Sequence, residues 1–228
     1  MFAAHSLEEA RKYDLDLAIG NRLAQNPIVG DAESVCFPVG LFFIRGDRKG
    51  PGEQLTQQAV ASYGYWNADS SDYLDLVFFG WGKEEGAPPV YNDEAFRHCK
   101  NQVEKISKWR YTGETDLLLL NYVCPLVQGS LSGEGGDFSF ESVIWLPVER
   151  MIDSKTIRSL DGLVQELINQ AKDVRKGKRE ADVWEISDRI GYYRSRRALW
   201  NSFRKFLLRD FDQVWNELRP FAVCDLRV

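Results

Sequence analysis

Residues 45–52 combine the residue types that bind an anion. These eight residues include three bases and three glycines. Glycine allows backbone amides to approach a ligand closely, and arginine and lysine supply charge-assisted hydrogen bonds to phosphate or carboxylate. The spacing matches neither G-x-x-x-x-G-K-[ST] nor G-x-G-x-x-G, so both nucleotide-binding fingerprints are absent. Arg45, Arg48 and Lys49 are therefore candidate ligand or anion contacts, with an exposed polar turn as the alternative interpretation.

Four carboxylates in or beside apolar segments form a second candidate set, for metal-dependent hydrolysis. Two or three acids held at strand ends can bind a divalent ion that activates water. The four candidates are Asp75, Glu114, Asp116 and Glu141. Outward-facing strand positions and helix caps explain the same residues, because an acid within an apolar strand is costly unless it faces solvent or a partner. We therefore assign no metal site and no cofactor.

The sequence contains no complete nucleophile-and-base arrangement. Only two histidines occur, and His98 lies beside Cys99 in a predicted helix, where neighbouring side chains point about 100° apart. His98 is therefore interpreted as a helix-surface residue. The segment around Leu131 has a leucine where a G-x-S-x-G elbow needs its serine. Whether the protein is an enzyme stays open at this point.

Positive charge is concentrated near the end of an otherwise acidic chain. The formal net charge is −5, yet residues 175–209 contain eleven Lys or Arg and only four Asp or Glu. Such a stretch favours an acidic partner, which would be nucleic acid, an anionic surface or the acidic part of this chain. Aromatic and basic side chains alternate there and supply the candidate partner contacts: Tyr193, Arg194, Arg196, Arg197, Arg204 and Lys205.

Several elements of an α/β fold position the first two candidate sets. Apolar runs at residues 39–44, 74–79 and 117–122 each lead to a glycine-containing polar loop. The pattern predicts strands at about 35–44, 73–79, 117–127 and 138–146, the last two forming an antiparallel hairpin. Helices are predicted at about 6–24, 53–66 and 93–109. Ligands usually bind beyond the carboxyl ends of such strands, so the loops after the first two strands are candidate contact surfaces.

The chain becomes helical beyond Pro147. Apolar residues recur at helical steps after Asp153 or Ser154, and further helices are predicted at about 184–190 and 192–218, before a short final strand at 221–228. We predict a mixed, mainly parallel sheet with an antiparallel hairpin, flanked by helices and followed by a helical C-terminal half. Residues 1–150 would form the sheet core and residues 151–228 would pack on it, within one structural domain.

Composition is typical of a globular protein with a sizeable core. The chain has 228 residues, 44% of them hydrophobic, and four cysteines without a C-x-x-C pair, which favours a reducing, cytoplasmic setting. The sequence predicts neither a secretory leader nor a bilayer-spanning segment. The first functional hypothesis is a binding, adaptor or regulatory protein with a protein partner or a homo-oligomeric state. The alternatives are the metal-dependent hydrolase or nuclease and a nucleic-acid-binding module.

Overall fold

The computed structural model describes residues 2–25, 32–70, 73–82, 90–128, 130–133, 135–175, 183, 186 and 224–225. The strands in this part of the chain are β1 Phe2–Ala4, β2 Ser34–Phe43, β3 Asp75–Phe79, β4 Trp81–Gly82, β5 Val90–Tyr91, β6 Asp116–Val127, β7 Ser130–Leu131, β8 Asp137–Pro147 and β9 Cys224–Asp225. The helices are α1 Leu7–Glu9, α2 Asp16–Gln25, α3 Pro51–Ser70, α4 Asp93–Ile106, α5 Val148–Asp153 and α6 Leu160–Arg175, with a π-helical segment, Ala10–Leu15, joining α1 to α2. No described helix is both long and apolar enough to cross a membrane.

The main sheet is mixed, with strand order β1-β3-β2-β6-β8-β9 and β7 attached to β6. Pairs β1–β3 and β2–β3 are parallel, whereas β2–β6, β6–β7, β6–β8 and β8–β9 are antiparallel. The predicted α/β class and the antiparallel hairpin are therefore confirmed. The prediction of a mainly parallel sheet is wrong for the described strands.

The direction of β6 explains the wrong prediction. After α4, the chain returns to the edge of the sheet where β2 ends. The Trp109 ring packs on Phe43 with centroids 4.4 Å apart, and Tyr111 packs on Phe96 at 5.3 Å. The next strand therefore begins at this edge, with Asp116 paired to Phe43, and runs opposite to β2.

Both faces of the sheet are covered, which explains the continuous apolar runs. Along β6, Leu117 and Leu119 join a core with α3 and α6, while Leu118 and Leu120 join a second core with α2 and α4. A strand buried on both faces has no polar alternation. The described part of the C-terminal region therefore contributes α6 and the buried Ile186 to one core. The helix predicted at 192–218, and the other residues of the helix predicted at 184–190, lie outside the described residues.

The first helix starts as its sequence predicts. Ser6 is the N-cap, and its hydroxyl accepts a hydrogen bond from the backbone N–H of Glu9 at 3.0 Å. The Glu9 carboxylate accepts from the His5 backbone N–H at 2.7 Å, one residue before the cap. The Ser6 hydroxyl thereby satisfies one of the amide groups that a helix start leaves without intrahelical partners, and the Glu9 carboxylate binds the residue that precedes the cap.

Candidate functional site

Charged and phenolic side chains from five segments converge at one edge of the sheet. This edge is where the parallel strands β2 and β3 end, β6 begins and β8 passes into α5. We call the group the strand-end cluster. Its members are Arg45, Asp47, Arg48, Tyr91, Asp93, Tyr111, Asp116 and Glu149.

The loop that follows β2 is held by contacts on both sides. The Trp81 indole N–H donates to the carbonyl of Ile44 at 2.9 Å, and the Thr56 hydroxyl lies 3.0 Å from the carbonyl of Arg45. Arg48 is paired with Glu149, whose carboxylate also accepts from the Thr115 backbone N–H at 2.7 Å. These contacts fix the backbone of the loop, and thereby the place of Arg45.

Arg45 is the most accessible arginine of the cluster. Its side chain is 34% exposed, and it donates to both carboxylate oxygens of Asp47, the Nε···Oδ1 distance being 2.9 Å. These hydrogen bonds raise the pKa of Arg45 and lower the pKa of Asp47. Asp93 lies 4.0 Å from Arg45 and accepts from the Tyr91 hydroxyl at 3.1 Å. Lys49 is exposed and forms no ion pair within the described residues.

The Tyr111 hydroxyl lies within this charged environment without a hydrogen-bond partner among the described residues. The oxygen is buried, and burial is the largest cause of the raised pKa of the phenol. The charge of Asp116 raises this pKa further, while the charges of Arg48 and Arg45 lower it. The phenol is therefore a donor, close to two guanidinium groups, whose hydrogen bond is unused.

Asp116 is fully buried at the inner side of the cluster. It accepts from the Thr112 backbone N–H at 3.2 Å and from the Trp145 indole at 2.9 Å. The Trp109 indole lies close to the same carboxylate but does not reach hydrogen-bond geometry. Desolvation outweighs these donors and raises the pKa of Asp116 above its ordinary value of 3.8.

The raised pKa predicts a pH dependence that Asp116→Asn removes. A carboxyl whose pKa is higher in the folded state stabilises the fold below its unfolded pKa, and this contribution is lost as pH rises through the folded-state pKa. We expect the free energy of unfolding of the wild type to fall relative to that of Asp116→Asn as pH rises above about 4, the ordinary pKa of the carboxyl, measured by urea unfolding. Other carboxyls, such as Asp14, whose pKa is raised to about 6, contribute equally to the pH dependence of both proteins. Their contributions therefore cancel in the difference between the two free energies of unfolding. Parallel curves would contradict the prediction.

The structure does not bring the four predicted acids together. Asp75 is paired with Val39 and Asp116 with Phe43, four residues further along β2. Asp75 binds Arg22 through two hydrogen bonds of 2.6 and 2.8 Å, and Glu114 binds Arg150 at 3.0 Å. Glu141 is exposed on β8. In the part of the chain that the structure describes, no group of three His, Cys, Asp or Glu could hold a metal ion.

The candidate nucleophiles lie apart from the cluster. His98 is exposed on α4, in agreement with its interpretation as a helix-surface residue. Cys99 and Cys124 are buried, and burial raises the pKa of each thiol to about 12. Such thiols stay protonated near neutral pH and are poor nucleophiles.

Residues 193–205, which carry the predicted acidic-partner contacts, lie outside the described residues. The nucleic-acid hypothesis on Tyr193, Arg194, Arg196, Arg197, Arg204 and Lys205 therefore stays a prediction.

Sequence reasoning proposed Arg45, Arg48 and Lys49 as contacts but did not indicate the residues that surround Arg45 and Arg48. Tyr111 and Glu149 come from segments without a recognisable binding motif. One signal pointed to the contact of Asp75 with Arg22, because an acid inside an apolar strand requires a partner. A comparison with protein-family models, curated proteins and solved structures finds no match to this chain.

Proposed function

We propose that the protein is a binding or regulatory protein whose contact surface is the strand-end cluster. The group recognised there is an oxyanion, a carboxylate or a phosphate, carried by a small ligand or by a partner protein. The observation that carries the proposal is the Tyr111 hydroxyl, which is buried with no hydrogen-bond partner among the described residues and which is subject to the positive charges of Arg48 and Arg45. A buried donor without an acceptor is costly, so an incoming acceptor gains more than an average hydrogen bond.

Charge and position support the same proposal. Arg45 and Lys49 offer accessible positive charge, and guanidinium groups bind oxyanions through two parallel hydrogen bonds. The loop bearing both residues joins β2 to α3, at the carboxyl ends of parallel strands, where ligands of α/β sheets usually bind.

The decisive variant is Tyr111→Phe. The hydroxyl forms no hydrogen bond within the part of the chain that the structure describes, so we expect the variant to be at least as stable as the wild type. We expect its affinity for inorganic phosphate to fall about ten-fold, since a hydrogen bond to a charged group contributes about 1.5–3 kcal/mol. The measurement is a phosphate titration followed by ¹H–¹⁵N NMR at constant ionic strength.

Two further variants make the titration conclusive. Arg45→Met should weaken phosphate binding by at least about ten-fold, because it removes a charge-assisted hydrogen-bond donor. Tyr65→Phe is the matched control, since Tyr65 lies on α3 with 66% of its surface exposed and should bind phosphate like the wild type. Phosphate shifts that do not saturate, or that are equal in Tyr111→Phe and Tyr65→Phe, would reject the proposal.

A further inference from the structure

Asp47 holds Arg45 in the way that an oxyanion ligand would. Its two carboxylate oxygens accept from Nε and Nη2 of the same guanidinium, the first at 2.9 Å. This fork-to-fork contact is the geometry in which arginine recognises a carboxylate or a phosphate. One of the two fork faces of the Arg45 guanidinium, the one formed by Nε and Nη2, is therefore occupied by a group from its own loop.

The Arg45–Asp47 pair contributes little to the stability of the loop. The Asp47 side chain is 48% exposed, and it lies only two residues from Arg45. Exposed ion pairs contribute little to stability. The loop is instead held by Trp81 and Thr56, which bind the carbonyls of Ile44 and Arg45.

The other arginine of the loop, Arg48, forms an ion pair that connects the loop to the rest of the fold. Arg48 is 23% exposed and its partner Glu149 only 11%, and Glu149 also accepts from the Thr115 backbone N–H. That pair connects the loop to the start of β6 and to α5. Releasing Arg45 from Asp47 would break none of these connections, whereas releasing Arg48 from Glu149 would.

We propose that Asp47 is an internal competitor of the ligand, which an incoming carboxylate or phosphate displaces from Arg45. This inference rests on the proposed function. It identifies the ligand group as one that presents two oxygens in a plane to a guanidinium. It also makes Asp47 the residue that limits affinity, so that the site binds only at ligand concentrations sufficient to overcome the competitor.

The test is the Nε–Hε resonance of Arg45 in ¹H–¹⁵N NMR during parallel titrations with sodium phosphate and sodium acetate, at ionic strength kept constant with chloride. Removing a competitor held by an exposed ion pair should tighten binding about two- to five-fold in Asp47→Asn. Asp47→Ala, which removes both oxygens, should show at least the same gain. The anion that binds with the higher affinity identifies the ligand group, phosphate indicating a phosphate and acetate a carboxylate.

Glu53→Gln is the charge-matched control, because Glu53 is an exposed acid in the first turn of α3 and has no contact with Arg45 among the described hydrogen bonds and ion pairs. A gain in both Asp47 variants that exceeds the gain in Glu53→Gln supports the inference. Equal affinities in all four proteins would overturn it while leaving the proposed function in place. If the Arg45 resonance shows no saturable response in any protein, with either anion, the proposed function itself fails.

Discussion

Arg22→Met is expected to lower the free energy of unfolding by about 3–5 kcal/mol, because it leaves Asp75 buried without its partner. The Asp75 side chain is 1% exposed and accepts two hydrogen bonds from the Arg22 guanidinium. Urea unfolding should show the loss, and thermal unfolding should show a decrease in Tm of roughly 10 °C for a chain of this size.

Two companion variants test the physical cause. Asp75→Val alone should cost less than Arg22→Met, since Arg22 is 14% exposed and its guanidinium can reach water. The double variant Arg22→Met/Asp75→Val should recover most of the stability, because apolar replacement of a buried ion pair is often nearly neutral. If the losses of the single variants simply add in the double variant, the pair is not the source of the effect.

The Arg22–Asp75 pair also shows why the acids were difficult to interpret from sequence. An acid within an apolar strand indicates that something compensates its charge, but the sequence does not say whether the compensation is water, a metal or a cation. Here it is an arginine 53 residues earlier in the chain, placed by α2 on the same face of the sheet. A bound metal and an ion pair would each compensate the charge of Asp75. The two explanations are distinguished only by the position of α2, which carries Arg22.

The strands could be predicted because their physical cause is local. The runs ending at Phe43 and Phe79 and the run beginning at Asp116 are buried on both faces, so apolar content alone indicates them. Strand direction has no local cause. It depends on how residues 107–115 return the chain to the edge where β2 ends, which is determined by contacts such as that of Trp109 with Phe43.

The candidate site likewise has a part that could be predicted from local sequence and a part that could not. Its loop could be predicted because Arg45, Arg48 and Lys49 are close together in the sequence and are flanked by glycines. Tyr111 and Glu149 could not, since they reach the edge only through β6 and β8. The competitor Asp47 was visible in the sequence, yet its role depends on which oxygens contact which nitrogens.

Gly80→Ala is expected to lower the free energy of unfolding by about 2–5 kcal/mol, which is the sum of backbone strain and a steric clash. Gly80 follows β3 with a φ of 78°, a conformation that costs an L-residue roughly 1–2 kcal/mol. A Cβ at this position would lie 2.5 Å from Cβ and 2.8 Å from Cα of Phe96. Because the contact includes backbone in the first turn of α4, a change of rotamer cannot relieve it.

Gly113→Ala separates the two contributions. Gly113 has a similar φ of 85°, but a Cβ there would meet nothing within 4 Å, so only the strain of roughly 1–2 kcal/mol should appear in urea unfolding. Equal losses of unfolding free energy in Gly80→Ala and Gly113→Ala would mean that Phe96 moves away from the added Cβ without an energetic cost.

The excess loss in Gly80→Ala should be accompanied by a change in phosphate affinity if the proposed site is correct. The Gly80 carbonyl accepts from the Asn92 backbone N–H at 2.7 Å, and Asn92 caps α4 immediately before Asp93. A shift of this helix start moves Asp93, which lies 4.0 Å from Arg45. Gly80 is therefore expected to connect the stability of the sheet edge to the geometry of the strand-end cluster.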